Sequence, residues 1–316
     1  MSYKWLKKIL SIRFIRESIR LSKIIVLPGF DQLSIYHVSR FFIQGIQKGL
    51  IATKASSMAF KFFMALFPTM IFLLTLIPYF PIKSFQSELL KILEDILPAT
   101  GYEFISDSLI QVVTEPDGGL LSFGFIFALF LATNGIDGML AAFQDSYNSS
   151  FKRGFVRQKG VSVLLLFILT LLIATAIASI IITKYLVNNI FTAGTLASFL
   201  IVLAKWIIIA ALGFFGISFA YYLGGNRKAK WRFFSAGSTL ATFLVLVVSI
   251  AFGYYVDNFA NYNKIYGSIG TIIVLMLWIY FISFVLLIGF ELNASIQQAG
   301  SIEKVQKEIE KNIELE

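Results

Sequence analysis

Six apolar stretches, each close to twenty residues, recur along this chain and constrain it more than anything else in it: Phe62–Phe80, Leu120–Phe143, Val161–Thr183, Trp206–Leu223, Phe233–Val256 and Ile265–Phe290. A helix needs about 20 apolar residues to cross the roughly 30 Å hydrocarbon layer of a bilayer, and each stretch meets that length. None alternates with the period of two expected of a barrel strand. Only 14% of the 316 residues are charged, against about 25% in soluble domains, and the mean hydropathy is +0.79. The expected fold is therefore all-α: a polytopic membrane protein with six transmembrane helices. Pro68 and Pro78 interrupt the first span, which is tolerable where neighbouring helices satisfy the freed carbonyls.

Sidedness follows from the 27 Lys and Arg residues, because cytoplasmic loops concentrate positive charge. Most precede the first span, from Lys4 to Lys61. Others are Lys152, Arg153, Arg157 and Lys159 between spans 2 and 3, Arg227 to Arg232 between spans 4 and 5, and Lys304, Lys307 and Lys311 in the tail. Only Lys83, Lys91, Lys184, Lys205 and Lys264 fall on the other side. An even number of spans then puts both termini in the cytoplasm of a bacterial inner membrane. The first 23 residues are too charged for a signal-peptide h-region. The net charge of +9 is where topology and anionic inner-leaflet headgroups would place it, so lipids rather than nucleic acid are the expected partners.

Three regions follow. Residues 1–57 read as amphipathic cytoplasmic N-terminal helices. One lies over 12–26, with Arg13, Arg16, Arg20 and Lys23 on its polar face, and is stopped by Pro28-Gly29. A second is capped by Asp31 and runs through Leu33, Tyr36, Phe41, Ile46 and Leu50 into span 1. Residues 58–299 form the six-helix domain, with an acidic extracytoplasmic helical insertion at 83–118. Residues 300–316 are a cytoplasmic tail that extends span 6.

Charges and amides inside spans are expensive and mark functional candidates. In span 2, Asn134, Asp137, Ala141, Gln144 and Asn148 fall on one helical stripe beside Gly135, Gly138, Ala142 and Asp145. In span 6, Tyr280, Ser283, Leu287 and Glu291 share a face. Helical rise puts Asp137 and Glu291 near the cytoplasmic boundary. Lys54, Ser56, Ser57 and Lys61 begin span 1 there, and Arg227 ends span 4. The expected site is thus a cytoplasm-facing polar cluster of Lys54, Ser56, Lys61, Asn134, Asp137, Arg227, Glu291 and Asn293, with Lys61 or Arg227 neutralising Asp137 or Glu291. Interhelical glue with snorkelling helix ends explains the same residues. Gly213, Gly216, Ala220 and Gly224 in span 4, with Ala174 and Ala178 in span 3, read as packing seams, and the same seams suit a homo-oligomer.

The chemistry available is narrow. Zero Cys excludes thiolate metal sites and cysteine nucleophiles, and one His, His37, excludes any site needing two imidazoles. No P-loop, dinucleotide fingerprint, nucleophile elbow or HExxH helix is present. No catalytic residue, metal or cofactor is expected.

Three segments carry a family resemblance. Tyr266-Gly-Ser-Ile-Gly through Leu277-Trp-Ile-Tyr280, followed by Leu287-Ile-Gly-Phe-Glu-Leu-Asn-Ala294, is similar to the closing signature of the BrkB/YihY family, the group once labelled ribonuclease BN-like. Ala55-Ser-Ser-Met-Ala-Phe through Leu66-Phe-Pro68 resembles that family's entry into span 1, with Phe60-Lys61 in place of an aromatic pair. Asn134 through Tyr147 resembles its ALNxAY segment, with Gln144 where Asn is usual. The resemblance implies six spans with both termini inside, and matches Glu291 and Asn293 position by position. It implies a role in the cell envelope: movement or flipping of a lipid or anionic amphiphile. The alternatives are a non-transporting envelope scaffold and, third, an ion channel or secondary transporter. A two-zinc ribonuclease needs several imidazoles, which one histidine does not supply.

Overall fold

In the computed structural model the described residues are 17, 20–26, 29–76, 118–146, 149–150, 153–189, 196–225, 232–259 and 268–313. They are almost entirely helical: α1 (Ile35–Lys48), α2 (Ile51–Leu76), α3 (Gly118–Gln144), α4 (Phe155–Asn189), α5 (Leu196–Gly224), α6 (Ala236–Phe259) and α7 (Ser268–Ile313). A two-stranded antiparallel hairpin, β1 (Asp145–Ser146) with β2 (Ser149–Ser150), separates α3 from α4. Among the described residues five helices, within α3 to α7, are long and apolar enough to cross a membrane. Their outward residues agree with lipid as solvent. Phe123, Ile126 and Phe130 on α3, Phe167, Leu171 and Ile173 on α4, and Phe199, Trp206 and Ile207 on α5 are all exposed, a density of large apolar surface that water would penalise. Part of the first span, Ile77–Phe80 with Pro78, the acidic insertion up to Asp117, and Arg227 lie outside the described residues.

The chain packs as two units. The first comprises Met1–Ala55, Leu140–Val248 and Ile282–Glu316; the second comprises Ser56–Met139 and Ser249–Phe281.

In the first unit, the turn before α1 and α1 itself cover the distal part of α7. Phe30, Leu33 and Val38 bury against Leu292, Ile296 and Ala299, with Phe41, Phe42 and Leu240 packed around them. The chain reaches α1 through Gly29, whose φ of +87° suits a residue without Cβ, and through an isolated bridge between Val26 and Ser34. Ser34, not Asp31, is the N-cap of α1. Asp31 has φ 52° and pairs with Arg232 at 2.9 Å on an exposed surface, so the capping expectation is corrected. Here the bridge aligns Ser34, one residue before the helix, while Asp31 remains in the turn.

Other boundaries also move for physical reasons. Instead of starting at Phe233, α6 begins at Ala236, because Ser235 and Ser238 form a reciprocal cap. The Ser238 N–H donates to Ser235 Oγ at 3.1 Å and the Ser235 N–H donates to Ser238 Oγ at 3.2 Å. Phe233 then packs edge-on against Phe219 at 4.8 Å. Ending at Gln144, α3 gives way to the hairpin, so the helical stripe drawn through to Asn148 stops one turn early. Its start at Leu196 takes α5 past Lys205, whose ammonium lies 4.7 Å from the Trp206 ring centroid, a favourable cation–π placement.

Small residues act as seams in some expected places and not in others. In α5, Gly216 admits Leu169 of α4, and Gly224 admits Phe143 of α3. Among the described residues Gly213 faces open space, and Ala174 and Ala178 of α4 are exposed. In the second unit, Gly135 and Gly138 of α3 lie against Phe62 and the Lys61 side chain of α2.

Candidate functional site

The segment Leu286–Ser295 of α7 is where the first unit converges. Four consecutive kinds of contact come from it, each made by a different residue type for a different reason.

Gly289 is the crossing point with α6. A Cβ there would sit 2.6 Å from Ala241 Cβ, 2.6 Å from the Tyr221 hydroxyl and 2.7 Å from the Gly237 carbonyl. Only a glycine lets two helices meet backbone to backbone at this spacing. Opposite it, Gly237 of α6 has the Gly289 carbonyl and the Asn293 side chain where its own Cβ would be.

Phe290 fills the next position. Its ring stacks on Phe143 with centroids 4.4 Å apart and planes 3° from parallel, and Tyr221 meets both rings edge-on at 5.4 and 5.6 Å. This buried triad joins α3, α5 and α7, with aromatic geometry of the favourable offset and T-shaped kinds. The Tyr221 hydroxyl donates to the Leu286 carbonyl at 2.6 Å, which removes the cost of burying its polar end.

Glu291, 3% exposed, carries a carboxylate into the same interior. The Ser146 hydroxyl donates to its Oε2 at 2.5 Å. Gly45 of α1 faces it so closely that a Cβ there would lie 2.6 Å from Cδ and 2.7 Å from Cγ. The nearby cation is Lys54, in the first turn of α2, whose ammonium donates to the Asp145 carbonyl at 2.5 Å. Burial draws the pKa of Lys54 below the ordinary lysine value, and the negative charges of Asp145 and then Glu291 oppose that shift. Helix α1, the start of α2, the hairpin and α7 are thus held around one carboxylate.

Asn293 completes the hub as an external cap for α6. Its Oδ1 accepts the Gly237 N–H at 2.8 Å and its Nδ2 donates to Ser235 Oγ at 2.8 Å. First-turn N–H groups have no partner within their own helix, and here α7 supplies one.

A second polar node sits beside the hairpin. The Arg153 guanidinium donates to the Leu223 and Gly225 carbonyls at 2.5 and 2.7 Å, a cation on the electronegative end of α5. Gln144 takes the Arg153 N–H at 3.3 Å and donates to Gln158 at 2.7 Å.

Of the expected cluster, Lys54, Glu291 and Asn293 are in the first unit and Lys54 lies near Glu291. Ser56, Lys61, Asn134 and Asp137 belong to the second unit, and Arg227 is outside the described residues. A cation that feels the charge of Glu291 is Lys54, which the sequence reading placed in the cluster without pairing it to that carboxylate. Ser146, Gly45, Gly237, Tyr221 and Arg153 were not singled out for these roles from sequence. Gly237 and Ser146 depend on partners 56 and 145 residues away in the chain, Gly45 on one in the last helix, and no local pattern signals such pairings.

An all-helical protein with five described helices suited to a bilayer and an apolar exterior is a membrane protein. The chain belongs to the family described as Virulence factor BrkB, which matches residues 42–314. It is 30% identical over 249 residues to a Bacillus subtilis (strain 168) protein named as ribonuclease-like, YfkH, covering 78% of this chain and 90% of that one. It is also 30% identical over 277 residues to a UPF0761 membrane protein of Prosthecochloris aestuarii, covering 84% of this chain and 62% of the relative. A UPF0761 membrane protein of Aliivibrio salmonicida is 28% identical over 277 residues, covering 85% and 86%. No solved structure matches.

Proposed function

We propose that this is an inner-membrane protein of envelope biogenesis, with both termini in the cytoplasm and a sixth span contributed by α2, that moves a lipid or other anionic amphiphile. The observation that carries this reading is Lys54. It is an ammonium disfavoured by burial, held by a backbone carbonyl and set beside a buried carboxylate, on a chain whose helices expose apolar surface. A headgroup phosphate would offer it a stronger partner than the Asp145 carbonyl, since ionised acceptors make the stronger hydrogen bonds. The tails would stay against the apolar helix faces. Anionic lipids are the proposed partners, and no nucleic acid is involved.

The reading contains no catalytic step. The word ribonuclease-like belongs to the Bacillus subtilis relative, and this chain has no Cys and one His. That residue, His37, has its Nδ1 2.9 Å from Ser34 Oγ in the cap of α1.

A scaffold without transport is favoured by a different observation: Gly289, Phe290 and Asn293 are all engaged in packing or capping contacts. Reconstitution separates the two. The protein in vesicles containing fluorescent phosphatidylglycerol is expected to render inner-leaflet probe accessible to an external quencher faster than protein-free vesicles. Equal rates refute the amphiphile reading and leave the scaffold, and ion release without lipid exchange favours a channel or secondary transporter.

A further inference from the structure

Several hydroxyl side chains on these helices bond within their own helix. Thr170, Thr175, Thr242 and Ser295 each donate to the carbonyl four residues back, at 2.9, 2.8, 2.8 and 2.7 Å. Ser218 of α5 and Ser283 of α7 do not. Each is 1% exposed, and neither hydroxyl has a hydrogen-bond partner among the described residues. A buried hydroxyl left without a partner costs free energy, and native interiors hold few such groups.

The two serines stand at one level of the bundle. A single crossing, α6, separates α5 from α7, so those two helices run in the same direction. Tyr221 of α5 meets Leu286 of α7 through a hydrogen bond across 65 residues of sequence. Ser218 precedes Tyr221 by three residues and Ser283 precedes Leu286 by three, which places both serines about one turn further along.

Facing agrees with level. Residues three apart are neighbours on a helix surface, so Ser218 lies beside Tyr221. Ser283 precedes Phe290 by one heptad and shares its face to within about 20°, and Phe290 packs edge-on to the Tyr221 ring. The hydroxyls therefore occupy the facing sides of α5 and α7, one turn from the stacked Phe143, Tyr221 and Phe290 rings. They are not bonded to each other.

What satisfies both must be small and must donate as well as accept. A serine hydroxyl has one proton to give and two lone pairs to fill. Water matches that demand and fits between two one-carbon side chains; buried waters of this kind typically join otherwise unsatisfied polar groups. We propose that one water molecule is bound between Ser218 and Ser283 and bridges α5 to α7. Both serines lie within apolar runs long enough to cross a membrane, and Ser218 is about 9 Å along the axis from the end of α5. Between helices in lipid, apolar contact gains little over lipid tails, and a polar bridge holds the pair together. The site does not involve Lys54, and it stands whether or not the protein moves lipid.

The first test is a double-mutant cycle in the full-length chain, read as the thermal midpoint in detergent. Ser218→Ala and Ser283→Ala each strand the other hydroxyl and should lower the midpoint by roughly 2–5 °C. The double variant strands neither, so its midpoint should lie above that of both singles. Additive losses would overturn the proposal, because each hydroxyl would then act within its own helix. Midpoints that rise in both singles would overturn it as well, because removing a dry, unpaired hydroxyl stabilises. A direct bond between the serines produces the same cycle, so the unsubstituted protein in nanodiscs supplies the second measurement. A cryo-EM map that resolves waters should show one peak about 2.8 Å from both Oγ atoms. Direct contact between the two oxygens, or no peak between them, would refute the bridge.

Discussion

Replacing Gly45 by alanine inverts the usual rule for glycine in a helix, and the inversion depends on one buried carboxylate. Gly45 lies within α1, where Gly→Ala ordinarily stabilises by about 0.5–1 kcal/mol because the unfolded chain loses freedom. Here the added Cβ would sit 2.6 Å from Glu291 Cδ and 2.7 Å from Cγ, well inside van der Waals contact. Glu291 has little room to retreat, with Ser146 bonded to its carboxylate and the residue 3% exposed. Overpacking of this kind costs about 1–3 kcal/mol, so Gly45→Ala should destabilise the protein and lower its thermal midpoint in detergent by several degrees. In a Glu291→Ala background the obstruction is gone, and the same change should stabilise by up to about 1 kcal/mol. The coupling between the two sites is then about 1.5–4 kcal/mol, read from the four corners of a double-mutant cycle. Should Glu291→Ala fail to accumulate, Glu291→Asp withdraws the carboxylate by one methylene and reads the same coupling with reduced size. A Gly45→Ala protein at least as stable as the unsubstituted chain would refute the placement of α1 against α7.

Two other outcomes follow from the hub. Asn293→Ala should cost about 2–4 kcal/mol by leaving the Gly237 N–H without its acceptor and removing a cap, measured as thermal unfolding; a loss under about 0.5 kcal/mol, typical of a surface change, would show that the side chain does not cap α6. Lys54, with its pKa lowered by burial, binds its proton less tightly in the folded state than in the unfolded state. Stability should therefore rise with pH between that lowered value and the ordinary lysine value, and Lys54→Met should remove this part of the slope in a pH series of midpoints.

The membrane class was legible from single residues because bilayer crossing imposes a length and a polarity that no partner is needed to reveal. The same is true of the segments found in α3 to α7, each of which contains one of the predicted apolar runs in whole or in large part, although α5 begins well before its run and α7 continues far beyond its own. Boundaries were less legible wherever a distant group sets them. Ser235 and Asn293 decide where α6 begins, and Asn293 is 58 residues away. Asp31 had the chemistry of a cap but not the position, since the bridge from Val26 to Ser34 settles which residue precedes α1.

The candidate cluster shows the same division. Glu291 and Asn293 stood out because a carboxylate and an amide at the end of an apolar run are costly and need a reason. What satisfies them did not stand out. Composition and periodicity by themselves determined that the chain lives in lipid, that it is helical, and that it lacks the side chains for thiol or multi-histidine metal chemistry, because those properties sum over residues independently of contacts. Only the tertiary structure decided that Lys54 is the nearby cation and that Ser146 bonds Glu291, that Gly45 must have no side chain, and that Gly289 meets Gly237. These are pairings between surfaces brought together by packing, and a pairing energy belongs to no residue taken alone.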